Sequence, residues 1–355
     1  MVTLDELLRL LIERNGSDLH IAAGSAPRIR SHGDLIETQH DPLTAEETQK
    51  IVYSILDSDQ IARFEDTLDL DMSFGIAGIG RFRTNVFMQR GAVGAAIRLI
   101  PYEIMNFEAL SLPRRLCETL CQLPRGLILV TGATGSGKST TLAAMIDFIN
   151  GNESGHILTI EDPIEFVHQN KKCLVNQREI GTDSKSFHNA LKSVLRQDPD
   201  FVLIGEMRDM ETIEMGLTLA ETGHLTFATL HTSDAIQTIN RIIDVFPSSQ
   251  QGQIRTQMSF VLEGVFCQQL LPLAGGKKGR VLAYECMVPS DAIRALIRDD
   301  KSHQVYSMMQ TSLKNGNKTM NMCLSELVKI GKIDPTIAMS ASSRPEELGK
   351  LIHGN

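Results

Sequence analysis

The chain has no apolar run near the ~20 residues that a membrane-spanning helix requires. Its hydrophobic stretches are short and broken by charge, as at Leu127–Val130. Nor does the N-terminus carry the apolar segment of a secretory leader, because Asp5, Glu6, Arg9 and Glu13 interrupt it. The cysteines (Cys117, Cys121, Cys173, Cys267, Cys286 and Cys323) contain no C-x-x-C pair, so they read as reduced, mostly buried thiols, not as a zinc site. A basic surplus is missing too: 35 Lys and Arg face 43 Asp and Glu, a formal net charge of −8. Proteins that live on nucleic acid usually carry the opposite balance, since neutralising phosphates supplies much of their affinity. Low-complexity tracts and short repeats are also lacking. These absences predict a cytosolic chain with no nucleic-acid partner, reaching a membrane only through other proteins.

What is present is ordinary globular composition, 42% hydrophobic and 22% charged over 355 residues, enough for about two domains. Residues 1–100 read as a small α/β domain. Leu4, Leu7, Leu8, Leu11 and Ile12 have helical spacing, Ser17–Ala22 suits a strand, and Arg28–Glu37 suits a hairpin around His32, Gly33 and Asp34. Thr44 and Glu47 form a capping-box pattern opening a second helix. From Asp69 to Ile100 the pattern turns to strands, and Pro101 ends the run. Residues 101–112 read as a linker, and 113–355 as a second domain. There strand and helix alternate, which predicts a mainly parallel sheet: Leu127–Thr131, Ile157–Glu161, Phe201–Gly205, Leu225–Leu230 and Arg280–Met287. Beyond Met287 the pattern is helical, with starts at Ser290, Thr319 and Ser343.

Gly132–Ser139 matches G-x-x-x-x-G-K-[ST] in full, a chance event on the order of one per cent at average composition. An apolar strand runs into it and a helix with Leu142, Met145, Ile146 and Ile149 on one face runs out. Backbone N–H groups of Gly132, Thr134, Gly135, Ser136, Gly137 and Thr140 are candidates to cradle phosphates at a helix N-terminus. Lys138 supplies a point charge to the β/γ-phosphates and Ser139 a hydroxyl to Mg2+, so ATP with Mg2+ is the expected ligand. The competing reading is a glycine-rich turn with an incidental lysine, which the matching context disfavours.

The run FVLIGE at Phe201–Glu206 is a buried-strand pattern that delivers a carboxylate. The pair there is Gly-Glu instead of the common Asp-Glu, so Glu206 either helps hold magnesium or positions the attacking water, and water activation is the better fit. A further strand delivers Glu161, Asp162 and Glu165 around Pro163. Clustered carboxylates near a nucleotide point to a cation, with a solvated acidic turn as the alternative. His231 falls at the carboxyl end of its strand, where such sheets bind ligands, and could sense a γ-phosphate or steady Glu206. His224 lies at the opposite end, and either histidine could instead be structural. Arg81, Arg83 and Asn85 share a face by period two, and Arg98 lies on the next strand. Arginines on a rigid strand could reach a neighbour's phosphate, or simply face water.

GATGSGKST, ILTIEDPIEF, VLIGEMRD and the TGHL…TLHT segment resemble, in order and spacing, the Walker A, Asp, Walker B and His boxes of type II/IV secretion ATPases. Within them the chain is most similar to the type IV pilus retraction ATPases, the PilT family, including GSDLH at Gly16–His20, RFRTNVFMQRGAV at Arg81–Val93 and AIRALIRDDK at Ala292–Lys301. In that family the last motif is tied to retraction and not to hydrolysis. The resemblance implies a PAS-like N-terminal domain joined to a RecA-like P-loop ATPase domain with a helical C-terminal part, assembled as a homohexamer. It implies catalytic roles for Glu206, Glu165 (also towards Mg2+), His231 and His224. It implies trans phosphate sensing by Arg81, Arg83 or Arg98, and an interface role for Arg280. Implied partners are an inner-membrane pilus platform protein and an accessory PilU-like ATPase, at the inner face of the cytoplasmic membrane. Ala133 departs from the family's usual proline, which should loosen the turn slightly without removing a phosphate contact. Pilus-assembly and type II secretion relatives are usually longer and carry a tetracysteine insertion that this chain lacks. A RecA-like nucleic-acid translocase and a non-hydrolysing nucleotide-binding regulator are the alternatives of other classes.

Overall fold

In the computed structural model, residues 2–31, 33–76, 79–100 and 103–354 are described. The chain forms two compact units, residues 1–103 with 165–167, and 104–164 with 168–355. His32, at the tip of the expected hairpin, and Pro101 lie outside the described residues.

The first unit runs α1 (Leu4–Glu13), β1 (Gly16–Ile21), β2 (Arg28–Ser31), β3 (Asp34–Glu37), α2 (Ala45–Tyr53), α3 (Ser58–Thr67), β4 (Asp69–Ile76), β5 (Gly80–Gln89) and β6 (Ala92–Ile100). All strand pairs are antiparallel, in the order β3-β2-β1-β6-β5-β4. Three capping boxes start its helices, on Thr3, Thr44 and Asp57, the second at the expected place. Leu7, Leu8 and Leu11 of α1 pack with Ile51 and Val52 of α2 against Leu19, Phe82, Val86 and Ile97 of the sheet. Period two then puts Arg81 and Arg83 on the other face, away from these apolar residues.

The second unit opens with α4 (Arg114–Cys121), and Phe107 and Leu112 before it are already buried in its core. It continues through β7 (Gly126–Thr131), α5 (Lys138–Asn152), β8 (His156–Glu161), β9 (Leu174–Glu179), α6 (Phe187–Val194), β10 (Phe201–Ile204), α7 (Met210–Glu221) and β11 (Leu225–Leu230). Then follow α8 (Ala235–Asp244), α9 (Ser248–Val261), β12 (Leu262–Pro272), β13 (Arg280–Met287), α10 (Asp291–Arg298), α11 (Val305–Thr311), α12 (Met320–Lys329), α13 (Pro335–Ala341) and α14 (Pro345–His353). The sheet order is β13-β12-β7-β11-β10-β8-β9, parallel throughout except for the antiparallel β12–β13 pair.

Every residue of β7 and β11 is buried, as both-face burial of a parallel sheet requires. Leu127 and Leu129 pack on the face that holds α6 to α11, while Ile128 and Val130 pack on the face of α4 and α5. The α/β class and the arrangement of a small unit and an ATPase-type sheet agree with the sequence reading. Strands β9 and β12 and helices α3, α8 and α9 were not anticipated, whereas α11 and α13 fall in the stretch beyond Met287 that reads as helical. The last helix begins at Pro345, with Arg344 at the N-cap position and no side-chain cap, one residue later than a Ser343 cap would give. All six cysteines are buried and free. Among the described residues no helix is long and apolar enough to cross a membrane.

Candidate active site

Four adjacent parallel strands, β7, β11, β10 and β8, end within two residues of one level. Thr131 stands opposite Leu230, and Ile204 stands opposite both Ala228 and Ile160. The segments leaving these ends carry the Gly132–Ser139 loop, His231, Glu206 and Asp162, so groups far apart in the chain share one edge of the sheet.

The loop is shaped by its glycines. Gly132 has φ +140°, and a Cβ there would lie 2.4 Å from the carbonyl oxygen of Gln268. Gly135 and Gly137 also have positive φ, at 77° and 92°. Helix α5 starts on Gly137 with no side-chain cap. Its first-turn N–H groups are therefore left to an anion, favoured by the helix dipole. Lys138 Nζ donates to the carbonyl oxygens of Gly132 at 2.8 Å and Ala133 at 3.2 Å, folded over the loop it would share with a phosphate. Ser136 Oγ is buried without a hydrogen-bond partner among the described residues. Thr134 and Gly135 are exposed on the crest, and Ser139 and Thr140 are half-buried in the first turn of α5. An uncapped helix start, a lysine and an orphaned hydroxyl fit a nucleotide phosphate, and the Ser139 hydroxyl suits its Mg2+.

Glu206 is held from two sides. Arg208 Nη2 lies 2.8 Å from Oε2, and His231 Nε2 lies 3.2 Å from Oε1. Burial works against its charge, but the Arg208 guanidinium and then His231 outweigh it and hold the carboxyl below its usual range. The Arg208 side chain is 61% exposed, so the pair adds little stability; what it supplies is an ionised, oriented carboxylate. Glu206 and, more weakly, the charge of Asp162 favour the charged guanidinium of Arg208.

The unusual Gly-Glu pair has a steric cause. A Cβ at Gly205 would stand 3.2 Å from both Glu161 Cα and Ile160 O on β8, backbone that would have to shift by a few tenths of an ångström to admit it. The turn is fixed further by Gly205 N–H donating to Ile160 O at 2.8 Å, and by Met207 N–H donating to Thr229 O at 3.0 Å.

The other sequence candidates fall elsewhere. His224 immediately precedes β11, at the end of the strand opposite His231, about 20 Å away along six to seven residues. Its Nδ1 lies 3.0 Å from Leu219 O and 3.2 Å from Thr222 Oγ1, so it secures the turn after α7. Glu165 is exposed and groups with the first unit. At the end of β8, Glu161 Oε1 accepts from Thr159 Oγ1 at 2.7 Å and Gln177 Nε2 at 3.1 Å. Arg280 is exposed at the start of edge strand β13.

In the first unit, register places Arg98 directly between Arg83 and Asp18. Arg98 Nε pairs with Asp18 Oδ1 at 2.8 Å, and Arg81 Nη2 donates to Ser73 Oγ at 2.8 Å. Burial opposes ionisation of Asp18, but Ser17 and Arg98 hold its carboxyl below the usual range. Two arginines opposite one another cost stability, and Asp18 offsets that on one side only.

Sequence reasoning missed Arg208 and Gln268. Arg208 stands two residues after Glu206, but only the folded turn shows that the two meet. Gln268 underlies the phosphate loop, its Nε2 donating to Thr141 Oγ1 at 2.8 Å from inside the core.

The type II/IV secretion system protein family matches residues 3–331. The chain is 48% identical over 341 residues to the type IV pilus retraction ATPase PilT of Pseudomonas aeruginosa, covering 96% of this chain and 98% of that protein. It is 40% identical over 348 residues to the type IV pilus ATPase PilU of the same organism, covering 98% and 91%. A crystal structure of the pilus retraction motor PilT with bound ADP superposes with a TM-score of 0.92 at 51% identity, covering 99% and 100%. The chain belongs to the type II/IV secretion system protein family and, within it, to the PilT family of ATPases.

Proposed function

We propose that the chain is an ATP-hydrolysing motor that drives type IV pilus retraction, working as a homohexamer at the inner face of the cytoplasmic membrane through a platform protein. The observation that carries this reading is Glu206, ionised and held between Arg208 and His231 at the strand ends that also present the phosphate loop. Likeness over nearly the full length to a retraction motor solved with ADP supports the mechanical role.

The chemistry follows from the parts. Water forms a bond to the γ-phosphorus while the bond to the β/γ-bridging oxygen breaks, giving ADP, phosphate and a proton. Glu206 orients that water and accepts its proton. A carboxylate has about four acceptor sites, so Arg208 and His231 leave room for the water. The loop N–H groups and Lys138 take up charge on the phosphates. Mg2+, where bound, supplies further charge neutralisation, with Ser139 as its protein ligand and Glu165 as a second candidate.

Neighbouring subunits complete the site in this reading. Arg81, Arg83 and Arg98, on the sheet face away from α1 and α2, are the candidates to reach a neighbour's phosphate, Arg280 a subunit contact, and His224 a further catalytic candidate. A PilU-like accessory role is the second reading, favoured by the 40% identity to PilU.

The test is surface piliation and twitching of a strain lacking this gene, complemented with wild type, Lys138→Ala or Glu206→Gln. Non-motile cells with excess pili, rescued by wild type alone, are expected. Bald cells would assign the chain to assembly, and normal motility would assign it to an accessory role or another machine.

A further inference from the structure

Glu285 is a carboxyl group with 2% exposure on edge strand β13. It stands in a register row that runs through Cys267 and Thr131 to Leu230. The row therefore ends at the last residue before the phosphate loop and the last before His231, which places Glu285 at the level of the chemistry.

Its two oxygens reach two different helix starts. Oε1 accepts the N–H of Ala235 at 2.8 Å, and Oε2 accepts the N–H of Met320 at 3.2 Å. Ala235 is the first residue of α8, four residues beyond His231. Met320 is the first residue of α12, whose Cys323, Leu324 and Leu327 pack with Ala338 of α13 and Leu348 of α14. Thr232, next to His231, is also tied to α8, with its Oγ1 2.7 Å from Thr238 Oγ1. The segment that carries His231 to Glu206 is thus tied to α8 through Thr232 and Ala235, one and four residues beyond His231.

A buried acid is a costly anchor, because burial disfavours its charge and pushes its carboxyl up to about 7 despite the two N–H bonds. Helix starts need no such group, since side-chain caps serve them, as Asp234 and Thr319 do here. What a cap on one helix cannot do is join two helices from distant parts of the chain. A cavity of about 350 Å³ lies beside this junction, lined by Asp234, Gln237, Glu285, Tyr306, Asn321 and Arg344, so the junction is not locked by packing alone.

We propose that Glu285 is a positioning residue for ATP hydrolysis: by holding the start of α8 it sets His231 against Glu206, and by holding α12 it ties that contact to the C-terminal helices. The inference rests on the reading of Glu206 as the hydrolytic carboxylate.

The test is steady-state ATP hydrolysis by the purified full chain as wild type, Glu285→Gln, His231→Ala and the double variant, with Glu206→Gln alongside. Glu285→Gln keeps the shape and one acceptor oxygen but turns an N–H2 towards one of the two backbone donors. It is expected to lower kcat by about tenfold, the scale of a small misplacement, with KM for ATP within about twofold. In the His231→Ala background the same change is expected to cost less than about twofold, because the route through His231 is already gone. An equal loss in both backgrounds, a loss confined to KM, or an unchanged kcat would overturn the proposal. If Glu206→Gln itself hydrolyses ATP like wild type, the reading beneath it falls as well. Thermal midpoints of all variants report folding, and should Glu285→Gln unfold, Glu285→Asp serves in the same cycle.

Discussion

Arg208 and Glu206 form an ion pair at 2.8 Å across the turn that leaves β10, and that pair favours the ionised form of the carboxylate. Burial alone would raise the Glu206 pKa, and the guanidinium reverses the sign. Arg208→Ala is therefore expected to move the acid limb of the kcat/KM profile for ATP to higher pH. Arg208→Lys, keeping charge without the planar fork, is expected to move it less. A pH–rate series on the three proteins checks this, and coincident profiles would contradict it.

Lys138 bonds carbonyls of its own loop. Its removal should cost little folding stability and much nucleotide affinity. Lys138→Ala is expected to weaken nucleotide binding by at least about tenfold, the scale of removing one charge-assisted hydrogen bond, with a near-wild-type thermal midpoint when no nucleotide is added. Calorimetric titration with the nucleotide and a melting curve measure the two separately.

At Gly205 the neighbour is backbone, so Gly205→Ala must move β10 or β8. The cost expected for such overpacking is about 1–3 kcal/mol, with a fall in kcat because Glu206 is the next residue. Thermal unfolding and an ATPase assay on this variant check both parts. A wild-type midpoint would mean that the sheet yields more easily than the 3.2 Å approaches allow.

Glu285 and Glu206 give opposite signatures in stability against pH. Glu285 is raised from 4.5 to about 7 by burial, with Asp234 raising it and Arg344 and the two N–H groups opposing. Between those values the folded chain binds more protons than the unfolded one, so this group's contribution is full below pH 4.5 and declines towards pH 7. Glu206, depressed on folding, contributes stability above the unfolded value of 4.5 that is lost as pH falls through its folded pKa. Glu285→Gln is therefore expected to flatten the decline between about pH 5 and 7 in urea unfolding midpoints. A wild-type slope in that variant would contradict the assignment.

Much of this site was legible before the fold was known because its parts are local. The phosphate loop needs only consecutive residues, and Glu206 and His231 are marked by the apolar strands that aim them. What was not legible depends on distance. Glu285 lies in a strand that reads as ordinary, and its burial comes from helix starts 50 and 35 residues away in sequence. Strand β12 escaped because α9 passes into it at Val261 and Leu262 with no glycine or proline between them. Edge strand β9 escaped because LVNQRE lacks the apolar run of its neighbours. Arg208 was visible as a residue, but its partner was set by the turn.

The central claim is that Glu206, held by Arg208 and His231, is the group that makes this chain a hydrolase. Phosphate release by wild type and Glu206→Gln, with nucleotide affinity measured on the same samples, tests it most directly. The expected result is ATP binding within about threefold of wild type and turnover lowered by at least about a hundredfold, the scale of removing a general base. Turnover within about twofold of wild type, in a variant that still binds ATP and keeps its oligomeric state, would contradict it.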